Sequence, residues 1–489
     1  MAINLQRTQS LIRENRLKSI VGYKGSIKDL VKKSKEGCLK NSKRCFSQTT
    51  SCSSGCAQFY LSSITDAAVV NHAPIGCVGD TAGANANLKW GQNMRDWEFT
   101  NIKIVNTNMT EGSTVFGGSK KLKDGVREAY RRFNPKAIFV TTSCASGIIG
   151  DDIDSILQEV EEEVGVPVVP VYCEGFKSQI WASGFDAAFH ALLTRIVKPP
   201  EKKRPELINL INFSASGSES VKDIFSRLGL VPQFGIPYSS IEEISKMSEA
   251  AATMSMCGTL GGYFGNGLEQ RYGVPYVKAL QPHGIAGMDS WLRALGKIVG
   301  KEEEVEEYIA EAKERITPEL KEIREKLKGK KVVVGMGPSF SHNYIRLLQE
   351  LGLEVVWGTS WHYDSKHDDG DCPQCSSTLY EQESDIPVSV SDQQSHEILN
   401  LLNRLKPDLY IGRHGGLVVW PTKMGIPSIM VNDEYSAFGY DGTIEFGYRI
   451  IDTLTNTSLV RNISKRIKLP YTKWWFEQDP FKFLESEAK

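Results

Sequence analysis

The stretch K-V-V-V-G-M-G-P-S-F-S-H-N-Y-I-R-L-L-Q-E-L-G-L-E-V-V-W, residues 331–357, decides the fold class. It opens on Lys331–Val334, a β-branched run without polar alternation, as in a strand buried on both faces. Gly335-Met336-Gly337-Pro338-Ser339 reads as a tight loop, Asn343–Leu351 as a helix and Leu353–Trp357 as the next strand. Asp408–Ile411 and Ser428–Val431 continue the series. Continuous apolar strands separated by amphipathic helices indicate a parallel sheet covered on both faces.

The same pattern occurs twice upstream. Ala67–Val70 is strand-like, and Gly118–Phe133 has a helical period, with Leu122, Val126, Ala129 and Phe133 on one face. Asn134-Pro135 stops that helix, and Ala137–Val140 follows as a buried strand. A helix beginning in Asp151-Asp152-Ile153-Asp154 has the acidic first turn that suits the helix dipole. Val166–Val171 is the next strand, and Pro167 and Pro170 place it at a sheet edge. The Pro-rich charged linker Lys198–Pro205 precedes a restart: strand Leu207–Phe213, loop Ser214–Ser218 and helix Val221–Leu228. The charged stretch Glu302–Lys328 carries Val305, Tyr308, Ile309, Ala312 and Ile316 as an apolar stripe, and Pro318 is expected to kink or restart it. Three restarts imply three doubly wound, Rossmann-like α/β domains, at 51–205, 206–330 and 331–489, in agreement with ~150 residues per domain. Residues 1–50, lysine-rich and with little period, are expected to form a mobile or wrapping arm.

The composition is globular, 40% hydrophobic and 24% charged, with formal net charge -1 and no basic stripe interleaved with aromatics. Nucleic acid is therefore not an expected partner. The first residues lack the apolar core of a signal peptide, and no apolar run approaches the ~20 residues of a membrane span. A cytoplasmic, reducing location follows as an expectation. There the ten cysteines are better explained by metal ligation or catalysis than by disulfides.

In doubly wound sheets, ligands collect at the carboxyl ends of strands. Cys77, Cys144 and Cys173 fall at such ends. Cys52, Cys77 and Cys144 are flanked by small residues that leave room for an iron-sulfur cluster, and their separation excludes a local zinc knuckle. The competing reading is a set of buried free thiols. Cys38 and Cys45 are expected to have no ligand role. Cys372-Pro373-Gln374-Cys375 is an isolated C-x-x-C whose role stays open. Gly335-Met336-Gly337 lacks the third glycine of a dinucleotide fingerprint, and there is no Walker A sequence. If ATP drives the chemistry, another polypeptide hydrolyses it. Of the eight histidines, His342 and His362 lie just past strand ends. The remainder, His414 among them, read as structural residues.

H-A-P-I-G-C (72–77), S-T-V-F-G-G-S-K-K-L (113–122), T-S-C-A-S-G-I-I-G-D-D-I-D (142–154) and C-E-G-F (173–176), in this order, resemble nitrogenase component 1 over residues 50–455. The resemblance is to α-type subunits, including those of nitrogenase-like reductases and the related cofactor-assembly scaffold. It implies that Cys52, Cys77 and Cys144 join three cysteines of a β-type partner around an eight-iron (8Fe-7S) P-cluster-like centre in an α2β2 heterotetramer. Cys56 rivals Cys52, because the loop spacing permits either, and Cys52 is preferred. Cys257, ahead of R-Y-G-V-P (271–275), corresponds to the cysteine that binds one end of a large iron-sulfur active-site cofactor lying between the domains. An ATP-hydrolysing iron protein is the implied electron donor.

The sequence also departs from that family. Ser436-Ala437-Phe438, before G-Y-D-G at 439–442, lacks the imidazole expected at the cofactor's heterometal end, so an all-iron cofactor is one option. After C-E-G-F, Trp181 and Phe185 stand where a glutamine and a proton-donating histidine are expected. His342 falls near an expected arginine, and His362 is a further candidate distal ligand or proton donor. Apolar walls suit an apolar substrate better than dinitrogen. Among nitrogenase-like reductases this favours methylthio-alkane reductase, which cleaves carbon–sulfur bonds. An assembly scaffold is the alternative, followed by tetrapyrrole reductase and true nitrogenase.

Overall fold

The computed structural model describes residues 3–48, 51–81, 83–93, 96–212, 218–392, 394–413, 415–431 and 437–485. Phe213, the loop residues Ser214–Gly217, His414 and Ser436 lie outside this set. The chain forms two compact units, Met1–Arg16 with Ser51–Ala215 and Val221–Val277, and Leu17–Thr50 with Ser216–Ser220 and Lys278–Lys489.

The first unit holds two parallel sheets. One has four strands in the spatial order Ile104–Asn106, Ala67–His72, Ala137–Thr142, Val168–Val171. Every residue of the two central strands is buried. Helices Ser119–Phe133 and Ile153–Val164 put Leu122, Val126, Ala129, Ile156, Leu157 and Val160 onto Ala68, Val70, Ile138 and Val140. Full burial of each larger aliphatic side chain contributes roughly 1.5–3 kcal/mol before entropy is subtracted. Asn134 ends the first of these helices in the left-handed conformation, φ 42°, and Asp152 caps the second by accepting the Ser155 N–H. Val168–Val171 is an edge strand, as its prolines require. The other sheet has the order Val231–Gly235, Arg204–Ile211, Ala250–Ser255.

The second unit holds a six-stranded sheet, Gly22–Ser26, Pro387–Ser391, Glu354–Ser360, Lys331–Met336, Leu409–Gly412, Ser428–Met430. Five strands are parallel, and Gly22–Ser26 closes one edge antiparallel. In all three sheets the chain leaves a central strand to one side and later returns to the other. This is the doubly wound arrangement expected from the restarts.

Three local readings change. Residues 17–48 are folded, because the lysines of helix Ile27–Lys35 hide an Ile27, Leu30, Val31 stripe that packs inward. Helix Glu302–Leu327 passes through Pro318 without restarting, held by a buried row from Val305 to Leu327. Helix Pro338–Glu350 begins at its proline, five residues earlier than the period suggests, because proline's fixed φ and missing N–H suit a first turn.

Candidate metallocluster site

The carboxyl ends of Ala67–His72 and Ala137–Thr142 form the first sheet's switch point, where the strand order reverses. Cys77 follows the first strand in the 3-10 turn Ile75–Thr81, and Cys144 follows the second as the opening residue of helix Cys144–Ile149. Both are exposed. Cys52 caps helix Ser53–Leu61, which packs on the same switch point, and Ser54 Oγ donates to the Thr142 carbonyl at 3.0 Å.

Gly175 shows which thiols converge. A Cβ at Gly175 would lie 2.6 Å from Cys52 Sγ and 3.6 Å from Cys144 Sγ. The missing side chain therefore leaves a cradle with two sulfurs on its wall. Cys56 lies one turn further along the helix, its N–H bonded to the Cys52 carbonyl. Cys173 is buried, its thiol donating to the Thr142 carbonyl at 3.4 Å, and burial pushes that thiol up to about 12. A neutral, engaged thiol reads as structural. Among the described residues, no three His, Cys, Asp or Glu side chains gather closely enough to hold a single metal ion. The geometry is that of an open rim.

Residues from three of the quoted motifs brace this rim. His72 Nε2 lies 3.0 Å from Asp151 Oδ2, and Nδ1 lies 3.1 Å from Thr107 Oγ1. Burial lowers the His72 pKa, against the opposing pull of Asp151. The Gly118 N–H donates to both Asp151 oxygens, at 2.9 and 3.1 Å, and a Cβ there would strike Asp151 and the His72 ring. Ser143 Oγ donates to the His72 carbonyl at 2.9 Å, tying the two strand ends together. The glycines and the His–Asp pair thus have mechanical roles that their spacing alone did not reveal.

Cys257 occupies the switch point of the three-stranded sheet, just past Ala250–Ser255. It is buried and caps helix Gly258–Tyr272, and Ser255 Oγ accepts its N–H at 3.1 Å. The helix dipole places partial positive charge there. Trp181 and Phe185 are buried in an edge-to-face series with Tyr60, at centroid distances of 5.7 and 5.0 Å.

In the second unit His342 is buried, with Nδ1 2.7 Å from Ser376 Oγ and Nε2 3.5 Å from Ser360 Oγ, and burial pulls its pKa down to about 4. His362 is buried with Nε2 3.6 Å from Asp364 Oδ2. Cys372 Sγ and Tyr363 OH lie 3.4 Å apart, while Cys375 is buried in helix Gln374–Glu381 and desolvation pushes its thiol up to about 11. Cys38 and Cys45 are exposed.

A family model described as nitrogenase component 1 type oxidoreductase matches residues 52–455. The chain belongs to that family. Within it, the nitrogenase molybdenum-iron protein alpha chain of Methanosarcina barkeri is 34% identical over 301 residues, 60% of this chain and 56% of that relative's length. The nitrogenase iron-molybdenum cofactor biosynthesis protein NifE of Methanosarcina barkeri is 30% identical over 457 residues, covering 88% of this chain and 94% of that protein. A solved structure described as "Nitrogenase Cp1 at pH 6.5" superposes with a TM-score of 0.70 at 22% identity, over 91% of this chain and 100% of that one. That likeness shows the shared fold. No described helix is long and apolar enough to cross a membrane.

Proposed function

We propose that the chain is the α-type subunit of a nitrogenase-like reductase, with Cys52, Cys77 and Cys144 as its share of a P-cluster-like 8Fe-7S centre completed by a β-type subunit in an α2β2 assembly. The observation that carries this reading is the approach of Cys52 and Cys144 to one point over Gly175, at the edge of the unit. Exposed apolar residues on the segments bearing Cys77 and Cys144, on helix Glu111–Phe116 packed against the Cys144 helix, and beside Gly175 support it. Ile75, Val115, Phe116, Ile148 and Phe176 are all exposed, Phe116 at 89% and Ile148 at 73%. Large exposed apolar side chains around an incomplete ligand set suit a subunit interface. The same convergence favours Cys52 over Cys56. The three-domain division belongs to this proposal, its sheet strands running over 67–171, 204–255 and 331–430, the last sheet joined by strand Gly22–Ser26.

Cys257 would hold a large iron-sulfur cofactor, which supplies low-potential electrons at the substrate when bound. An ATP-hydrolysing iron protein would deliver those electrons. Trp181 and Phe185 would present an apolar wall. The substrate class this favours is a small methylthio-alkane. Two electrons and two protons then convert one C–S bond into a C–H and an S–H bond.

The second reading, a cofactor-assembly scaffold, is favoured by the NifE relative's coverage of nearly the whole chain. One preparation separates the two. The chain is purified anaerobically with its co-expressed partner, iron is counted, and turnover is assayed with iron protein, ATP and a thioether. ATP-dependent release of hydrocarbon and thiol supports the reductase. A complex that donates its cluster but never turns over supports the scaffold. Cys257→Ala should remove the cofactor and spare the interface cluster, and unchanged iron content would remove that ligand assignment.

A further inference from the structure

In the first unit, residues 3–16 lie along the two helices that carry Phe185 and follow Cys257. Arg13 is central to this strap. Its Nε donates to Asp186 Oδ2 at 2.8 Å, and one terminal nitrogen donates to Asp186 Oδ1 at 2.7 Å, a bidentate fork. The same nitrogen also donates to the Thr259 carbonyl, in the first turn after Cys257. Arg13's own N–H donates to Ser183 Oγ at 3.1 Å. Arg13 is 2% exposed and Asp186 is fully buried.

Neighbouring contacts hold the fork in place. Arg16 donates to Asp186 Oδ2 at 2.7 Å, and its guanidinium lies 4.7 Å from the centroid of Tyr263, on the Cys257 helix. His190 sits 2.9 Å from both Tyr263 OH and the Arg7 carbonyl. Glu14 accepts from Ser178 Oγ at 2.8 Å and from the Gln179 N–H at 2.7 Å. Gln270, further along the Cys257 helix, donates to the Ile3 carbonyl at 2.6 Å.

We propose that Arg13 is a positioning residue, whose guanidinium fixes the first turn carrying Cys257 against the helix carrying Phe185. The proposal rests on the reading of Cys257 as cofactor ligand. A planar fork on a three-carbon stem reaches the carboxylate and the carbonyl together. A lysine in its place keeps the charge but loses the bidentate geometry. Separation of ligand and aromatic wall is then free to drift, which loosens the wall's hold on substrate in ground state and transition state alike.

The test uses the anaerobically purified complex with its partner and compares Arg13→Lys with wild type. Expected are near-normal iron content, a shifted electron paramagnetic resonance signal for the Cys257-dependent cluster, and a KM for the thioether raised about tenfold with a smaller change in kcat. A lower melting temperature with an unmoved signal and KM would show Arg13 to be purely structural and overturn the assignment. If Arg13→Lys fails to assemble, Ser183→Ala removes the acceptor of the Arg13 N–H together with the 2.9 Å contact between the Ser183 and Ser178 hydroxyls. A smaller displacement of the same signal is then expected, and none overturns the proposal. Cys257→Ala serves as reference. If a wild-type signal persists in that variant, the cofactor assignment fails and Arg13's role falls with it. If Cys257→Ala deletes the signal and Arg13→Lys leaves it unmoved, Arg13 alone is wrong.

Discussion

Gly175 leaves the space into which two thiols face. Gly175→Ala would place a methyl group 2.6 Å from Cys52 Sγ, inside any ordinary contact distance. The expected outcome is loss of the interface cluster with retention of the Cys257-dependent one, read as a drop in iron per heterotetramer and selective loss of one spectroscopic signature. Buried imidazoles give a second prediction at this scale. Desolvation holds His283 near 3 and His342 near 4, below the ~6.5 of an exposed imidazole. Below about pH 6.5 the unfolded chain therefore binds protons that the folded chain refuses. Stability should fall by about 1.4 kcal/mol per pH unit for each such ring until the folded values are approached. Melting temperature measured from pH 7 to pH 5 should show this slope, and His342→Asn should reduce it by one ring's share, leaving that of His283.

Helix Ser183–Arg195 is the element on which the first unit turns. The helix capped by Cys52 packs on one side of it and the helix capped by Cys257 on another. Gly184 makes the first contact possible, since a Cβ there would overlap the Ser53 carbonyl. Gly184→Ala should destabilise by about 1–3 kcal/mol, a melting-temperature loss of several degrees, and should disturb Cys52 with it. Much of this architecture was legible in the sequence. The buried strand Ala137–Val140 and the amphipathic helix after Gly118 announce themselves by period, and the three quoted motifs that carry a cysteine by their resemblance to a known family. Helix Ile27–Lys35 was masked by its own lysines, and the passage through Pro318 depends on packing that no local period encodes. The Cys52–Gly175–Cys144 convergence and the Arg13–Asp186 fork were not legible, because each joins residues brought together only by the finished fold.

As a whole molecule, the chain exposes thiols on which the proposed shared cluster rests. Thiols at a rim and a bulky phenylalanine almost wholly in solvent describe a surface that water covers poorly. Phe116→Asp should weaken assembly with the β-type subunit by at least about 2 kcal/mol, roughly thirtyfold in affinity, if Phe116 is an interface anchor. Size-exclusion chromatography with light scattering would read this as free subunit in place of heterotetramer, and an unchanged elution profile would relocate the interface.

Strand Gly22–Ser26 closes the edge of its sheet against Pro387–Ser391. In time these two segments are far apart, because a ribosome delivers the first early and the second only when nearly the whole chain has been made. Throughout that interval the early strand presents open N–H and C=O groups to any passing strand. Lys24 on the strand, followed in sequence by Lys28, Lys32, Lys33 and Lys35, gives this segment a positive charge that discourages such pairing. The residues that make the start of this chain look poor in folding information are thus its protection while it waits for a partner still being synthesised.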